Sequence, residues 1–104
     1  MIKEVFFDEQ VAKEVGTNSA IILEFIECGV LKNEDDQVHF YDGVYWTKES
    51  VSSIQEACNW LSYGQIRRAL AKLKSSGYLL VGNYNNPSLD RTKWYSSVRI
   101  NSKK

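Results

Sequence analysis

The chain is poor in the residues that mark most specialised classes. It has one proline, one histidine and six glycines in 104 residues, and its 13 Lys and Arg cancel its 13 Asp and Glu. So little proline and glycine excludes a collagen-like repeat and a low-complexity linker. The two cysteines, Cys28 and Cys58, stand apart inside apolar stretches, with no CxxC. No zinc constellation follows from such a set, and buried thiols in a reducing compartment are the expected state, with a disulfide as the alternative. No run approaches the roughly 18 consecutive apolar residues of a membrane span. The opening MIKEVFFDEQ carries Glu4, Asp8 and Glu9 and lacks the apolar centre of a signal peptide. The expected setting is cytoplasmic, without a membrane partner.

What is present suits one small folded domain over residues 1–104. At 43% hydrophobic and 12% aromatic, the chain has ample material for a core. The neutral total conceals a segregation. Residues 1–60 hold four basic residues and twelve acids, and residues 61–104 hold nine basic residues and the single acid Asp90. Balances of −8 and +8 suggest a polyanion partner for the second half. The competing reading is that the halves neutralise each other within one body.

Local signals give an order of elements. Asp8 caps a short helix over Glu9–Val15, which Gly16 ends. Thr17 or Asn18 caps a second helix to about Cys28, closed by Gly29. Its Ala20, Ile21, Ile22, Leu23, Phe25 and Ile26 cover most of the circumference, as in a central core helix. KNEDDQ, residues 32–37, reads as a polar loop. Asp42-Gly43 between Val38–Tyr41 and Val44–Trp46 signals a hairpin. Thr47 is the expected cap of a helix to about Asn59, with Trp46 and Val51 as its hydrophobic staple. Ser62 and Gln65 form a capping box for a helix to about Ser75, ended by Gly77. Tyr78–Tyr84 and Trp94–Ile100 read as strands, joined by a loop over Asn85–Thr92.

A helix, a tight turn, a capped second helix and a two-stranded hairpin make the pattern of a winged helix-turn-helix, an α+β fold with three to four helices and a C-terminal wing. Such folds place the second helix in the DNA major groove and the wing on the phosphate backbone. Helical spacing puts Ile66, Ala69, Leu70 and Leu73 on the core side. The other side carries Gly64, Arg67, Arg68, Ala71, Lys72 and Ser75, with Gln65 and Lys74 at the margins and no acid. Arg can hold guanine and Gln adenine through two hydrogen bonds each, and small Gly64 and Ala71 permit close approach. Tyr63 is a candidate phosphate contact. In the wing, Asn83, Asn85, Asn86, Arg91 and Lys93 can meet phosphates. Tyr84, Trp94, Tyr95 and Trp60 are assigned to packing. Glu49 and Glu56, on the preceding helix, are expected to point away from DNA toward solvent or a protein.

Tyr45-Trp46-Thr47, Leu61-Ser62, Gln65-Ile66-Arg67-Arg68-Ala69-Leu70 with Lys72-Leu73, Gly77-Tyr78-Leu79, Asn83-Tyr84-Asn85 and Asp90-Arg91-Thr92-Lys93-Trp94-Tyr95 together resemble the amino-terminal winged-helix domain of phage replisome-organiser and DnaD-like replication initiation proteins. The resemblance spans roughly residues 20–100. It implies origin recognition or recruitment of helicase-loading machinery, partners among replication proteins, and self-association. It also implies further domains beyond this one.

Two main functions stand side by side: a DNA-binding domain, and an interaction or oligomerisation module of a primosome-type complex. A transcriptional regulator is a third. Nothing points to an enzyme, a metal, a cofactor or a small-molecule ligand. His39 in Val-His-Phe reads as packing, the six glycines form no phosphate loop, and Asp35-Asp36 read as solvated surface.

Overall fold

Asp8 begins the first helix as expected. In the computed structural model, which describes residues 5–85 and 92–102, its carboxylate accepts from the N–H of Gln10 at 2.8 Å and of Val11 at 3.4 Å. Helix α1 (Glu9–Val15) buries Val11 and Val15 and stops at Gly16, whose φ of 92° favours glycine. Helix α2 (Thr17–Asp36) follows at once and is capped by neither Thr17 nor Asn18. Nor does it end at Gly29. It continues through KNEDD to Gln37, which takes the left-handed conformation.

Gly29 serves packing, not termination. A Cβ there would stand 2.8 Å from Thr47 Oγ1, so the missing side chain lets the strand bearing Thr47 lie against α2. The Asp42-Gly43 hairpin forms as expected. Both residues have positive φ, 54° and 78°, matching the right-handed twist of the short strands β1 (Phe40–Tyr41) and β2 (Val44–Tyr45). Thr47 is not a helix cap. It opens strand β3 (Thr47–Glu49), and the long-range ladder with Tyr95 overrides its local capping preference. The cap is Ser50, reciprocally bonded with Ser53 at 3.0 Å in each direction, and α3 runs Val51–Ala57. The expected Trp46–Val51 staple is thereby lost, because three further residues separate Trp46 from the helix.

The Ser62–Gln65 capping box opens α4 (Tyr63–Ser75) as expected. Its end is closed by Gly77 (φ 83°), with Tyr78 N–H donating to the Leu73 carbonyl and Gly77 N–H to that of Lys74. Strand β4 (Leu79–Gly82) pairs antiparallel with β5 (Lys93–Ser97), and β3 pairs on the other side of β5, giving the order β3-β5-β4. Strand β5 buries Trp94, Tyr95, Ser96 and Ser97 in succession, without the expected alternation, because both of its faces are covered: Tyr95 joins the core, and Trp94 packs against His39, Tyr41 and Tyr84. The chain does not stay extended to Ile100. Ser97 caps a fifth helix, α5 (Val98–Asn101).

The described residues therefore form an α+β domain, with five helices and small antiparallel sheets among them. Its core joins Ile22, Leu23 and Ile26 of α2 to Ile54 of α3, Ile66 and Leu73 of α4, and Leu79 and Tyr95 of the sheet. Two side-chain placements depart from expectation. Leu61, 3% exposed, fills the core at the α3–α4 turn, and Trp60 is turned out at 47%. Cys28 lies exposed on α2, whereas Cys58 is buried, and both are free. No helix among the described residues is long and apolar enough to cross a membrane.

A polar cluster locks the two ends of the chain together. Glu27, 6% exposed in the middle of α2, accepts from Arg99 Nη2 and Nε at 2.6 and 2.7 Å and from Ser97 Oγ at 2.6 Å. Arg99 Nη1 also bonds Asp8 at 2.7 Å, and Glu24 lies 3.8 Å away. The turn into α5 is what brings Arg99 to these acids. The two charged halves do neutralise each other here, at one basic residue.

Two outcomes test this framework. Gly29→Ala should destabilise the domain by roughly 1–3 kcal/mol in urea unfolding, through the clash with Thr47, although alanine is the better helix former. Asp8 carries a carboxyl held below its ordinary 3.8, first by the Arg99 hydrogen bond and then by the Gln10 N–H. Its contribution is present above pH 3.8 and is lost as pH falls through the lower folded value. Thermal melts across that acid window should therefore show a shallower loss of stability in Asp8→Asn than in the wild type.

Candidate nucleic-acid interface

Helix α4 owes its orientation to one apolar stripe. Ile66, Ala69, Leu70 and Leu73 are all buried. This fixes Arg67, Arg68, Ala71, Lys72, Lys74 and Ser75 as an exposed face, as the helical spacing predicts. No acid lies on α4, and none of its four cations forms an ion pair among the described residues. Arg67 instead places its guanidinium 5.9 Å from the centre of the exposed Tyr63 ring. That contact holds both side chains at the start of the helix.

The candidate base readers differ in their freedom. Gln65 is half-buried, and its carbonyl oxygen accepts from Ser62 N–H at 2.8 Å. It is occupied as a cap, and only its amide nitrogen remains for another partner. Gly64 leaves room for Arg68, since a Cβ there would lie 3.2 Å from Nη1.

The cationic face has two edges. Toward the sheet, Arg67 and Lys74 share a groove of about 880 Å³ with Tyr63, Ala71, Thr92 and Lys93. Toward α2, Arg68, Lys72 and Gln65 line a separate cleft. The structure thus brings Tyr63, Arg67, Ala71, Lys74 and Lys93 together and sets Arg68 and Lys72 apart from them. Arg91 and Asn86 lie outside the described residues.

The base of the β4–β5 connection is an aromatic cluster. Tyr84 stacks on Tyr41 at 4.6 Å and 8°, and Trp94 meets both edge-on. His39 adds an edge contact to Trp94 at 5.0 Å, the packing role its neighbours suggest. Asn85 belongs to this cluster. It accepts from Trp94 Nε1 at 2.8 Å and donates to the Thr92 carbonyl at 2.6 Å, so its side-chain amide already braces the connection. Trp94 and Tyr95 are buried and Tyr84 half-buried, in agreement with a packing role.

Glu49 departs from expectation. It does not point away, but lines the same groove as Arg67, Lys74 and Lys93. Its two oxygens accept from Thr47 Oγ1 at 2.9 Å and Ser53 Oγ at 2.8 Å. These hydroxyls, brought close by the β3–α3 junction, fix the carboxylate inside the groove. The Thr47/Ser53 spacing was the only hint in the sequence. Glu56 is exposed on α3.

Burial pushes the Cys58 thiol up, and at the surface thiol of Cys28 partial desolvation, then the nearby Glu24 and Glu27, act in the same direction.

Compared with protein-family models, with curated proteins and with solved structures, the chain matches none.

A carboxylate among three cations opposes a polyanion. Glu49→Gln should tighten binding of duplex DNA by roughly 0.5–1 kcal/mol, the scale of one exposed charge interaction. Fluorescence anisotropy at fixed salt is the check, and weaker binding would show that the carboxylate itself contacts the ligand.

Proposed function

We propose that the chain is a winged helix-turn-helix domain that binds duplex DNA, with α4 as recognition helix and the β4–β5 hairpin as wing. One observation carries this reading: a buried stripe holds α4 against the core, so that Arg67, Arg68, Lys72 and Lys74 face outward, with no acid on the same helix and no ion-pair partner among the described residues. A merely solvated helix usually mixes signs and gains from Glu–Lys pairs at i, i+4. The order β3, α3, α4, β4, β5, with β5 between the other strands, supports the fold assignment.

In this reading α4 enters the major groove, about 12 Å wide, and Lys93 meets the backbone beside it. The resemblance to phage replisome-organiser and DnaD-like domains supports a place in replication initiation, with replication proteins as partners. The domain acts in the cytosol as a binding module, without a catalytic step or a cofactor of its own. A transcriptional regulator would use the same surface.

A second reading, an interaction or oligomerisation module, is favoured by one feature. Leu31, Val38 and Phe40 are 45%, 42% and 54% exposed, on the late turns of α2 and at the β1–β2 hairpin. Both readings meet in a single experiment: labelled duplex titrated at two salt concentrations, with mass measured by sedimentation. DNA binding should weaken steeply with salt, because counterions displaced from the duplex gain less entropy on release into concentrated salt. Arg67→Ala with Arg68→Ala should cost roughly 2–4 kcal/mol, at about 1–3 kcal/mol per good base contact. A concentration-dependent oligomer with no DNA affinity at low salt would replace the first reading by the second.

A further inference from the structure

Glu49 is offered an ion pair and does not make it. In the register of β3 and β5 it lies directly opposite Lys93. Opposite charges at such a cross-strand position attract. Arg67 and Lys74 line the same groove. Yet the carboxylate forms no ion pair among the described residues.

Two hydroxyls hold it instead. Thr47 Oγ1 donates to Oε2 at 2.9 Å, and Ser53 Oγ donates to Oε1 at 2.8 Å. Neither donor is loose. Thr47 is buried and seated against Gly29 of α2, and Ser53 is tied into the capping box of α3. A surface glutamate ordinarily keeps its rotamer freedom, and losing it is unfavourable. This one is fixed from a strand and a helix together.

The carboxylate keeps capacity to spare. It has about four lone-pair sites, and the two hydroxyls fill one on each oxygen. Glu49 is half-buried and lines the groove. Its charge is felt there, because burial and then Glu49 push up the hydroxyl of Tyr95, which lines the same groove.

A phosphate cannot use such an acceptor, but a base edge can. In the major groove guanine presents O6 and N7 and thymine presents O4, all of them acceptors that a carboxylate repels. Adenine presents its N6 amino group with the acceptor N7 beside it. Cytosine presents the N4 amino group and no acceptor of its own.

We propose that Glu49 is a specificity-determining residue that reads the N4 amino group of a cytosine in the major groove. That role rests on the DNA-binding reading above and adds to it a base contact from outside α4. The cations of α4 and Lys93 draw in any duplex, whatever its sequence. The fixed carboxylate then penalises each base at its position that returns no hydrogen bond.

The test is selection by the full chain from a pool of randomised duplexes at one low salt concentration. Wild type should enrich cytosine over thymine at one position by about tenfold, the weight of one charge-assisted hydrogen bond. Glu49→Ala should lose that preference and keep the others. Glu49→Gln should move it to adenine, since an amide donates to N7 and accepts from N6 at once. A new preference cannot arise from unfolding. On a duplex with thymine at that position, Glu49→Gln should bind more tightly than wild type, because only repulsion is removed.

A selected duplex with 2-pyrimidinone in place of that cytosine isolates the contact, since this base lacks only the amino group. It should weaken wild-type binding by about tenfold relative to its effect on Glu49→Ala. Identical base preferences in wild type and Glu49→Ala, with binding still lost in Arg67→Ala with Arg68→Ala, overturn the role of Glu49 and leave the DNA-binding reading standing. A pool from which wild type retains no duplex overturns the DNA-binding reading, and the base contact with it.

Discussion

The bond between Glu27 and Arg99 is the constraint on which the arrangement of the domain depends. A carboxylate buried in the middle of the central helix needs a cation and further donors, or its burial is prohibitive. Arg99 supplies two N–H groups and Ser97 a hydroxyl. To do so, the chain must leave the sheet at Ser97 and turn into α5. The same guanidinium reaches Asp8, whose carboxylate also caps α1. One contact thus determines where the sheet ends, where the first helix begins and how both sit on α2. With α2 held, α4 packs along it through Ile66, Ala69 and Leu73, and its charged face is left to solvent.

Charge is then distributed by geometry as much as by sequence. Of the basic residues in the second half, Arg99 is consumed internally, and the cations of α4 remain outward. The acids are not simply excluded from the basic surface. Glu49 sits in the groove because Thr47 and Ser53 hold it there. The groove therefore contains a fixed acceptor among donors, which can discriminate among ligands in a way a uniform cationic patch cannot. A carboxylate can accept from the amino group of cytosine, for example, whereas it repels phosphate.

Features governed by neighbours in sequence were legible from the residues. Asp8, Asp42-Gly43, Ser62 with Gln65, and Gly77 each act within a few positions, and each does what its chemistry suggests. The apolar stripe of α4 was legible for the same reason. What could not be read depended on distant partners. Gly29 resembles a helix stop until Thr47 is found against it. Thr47 resembles a cap until Tyr95 pairs with it. Glu27 and Arg99 lie 72 positions apart, and nothing local announces their meeting. At the α3–α4 turn, Leu61 and Trp60 compete for one core position, and the smaller side chain fills it. In the candidate interface, the outward cations of α4 were legible, but the division of that face between a sheet-side groove and an α2-side cleft was not.

The uncapped start of α2 has a consequence on a larger scale. The helix is about 30 Å long. Cations gather near its positive end, while Glu34, Asp35 and Asp36 occupy its last turns, at the negative end. Side-chain charge and peptide dipoles therefore add along one axis instead of cancelling, at some cost to the stability of the helix. A molecule built this way experiences a torque in the field of a polyanion before any contact is made. In the DNA-binding reading proposed above, that torque turns α4 toward the duplex, so that a larger share of encounters becomes productive.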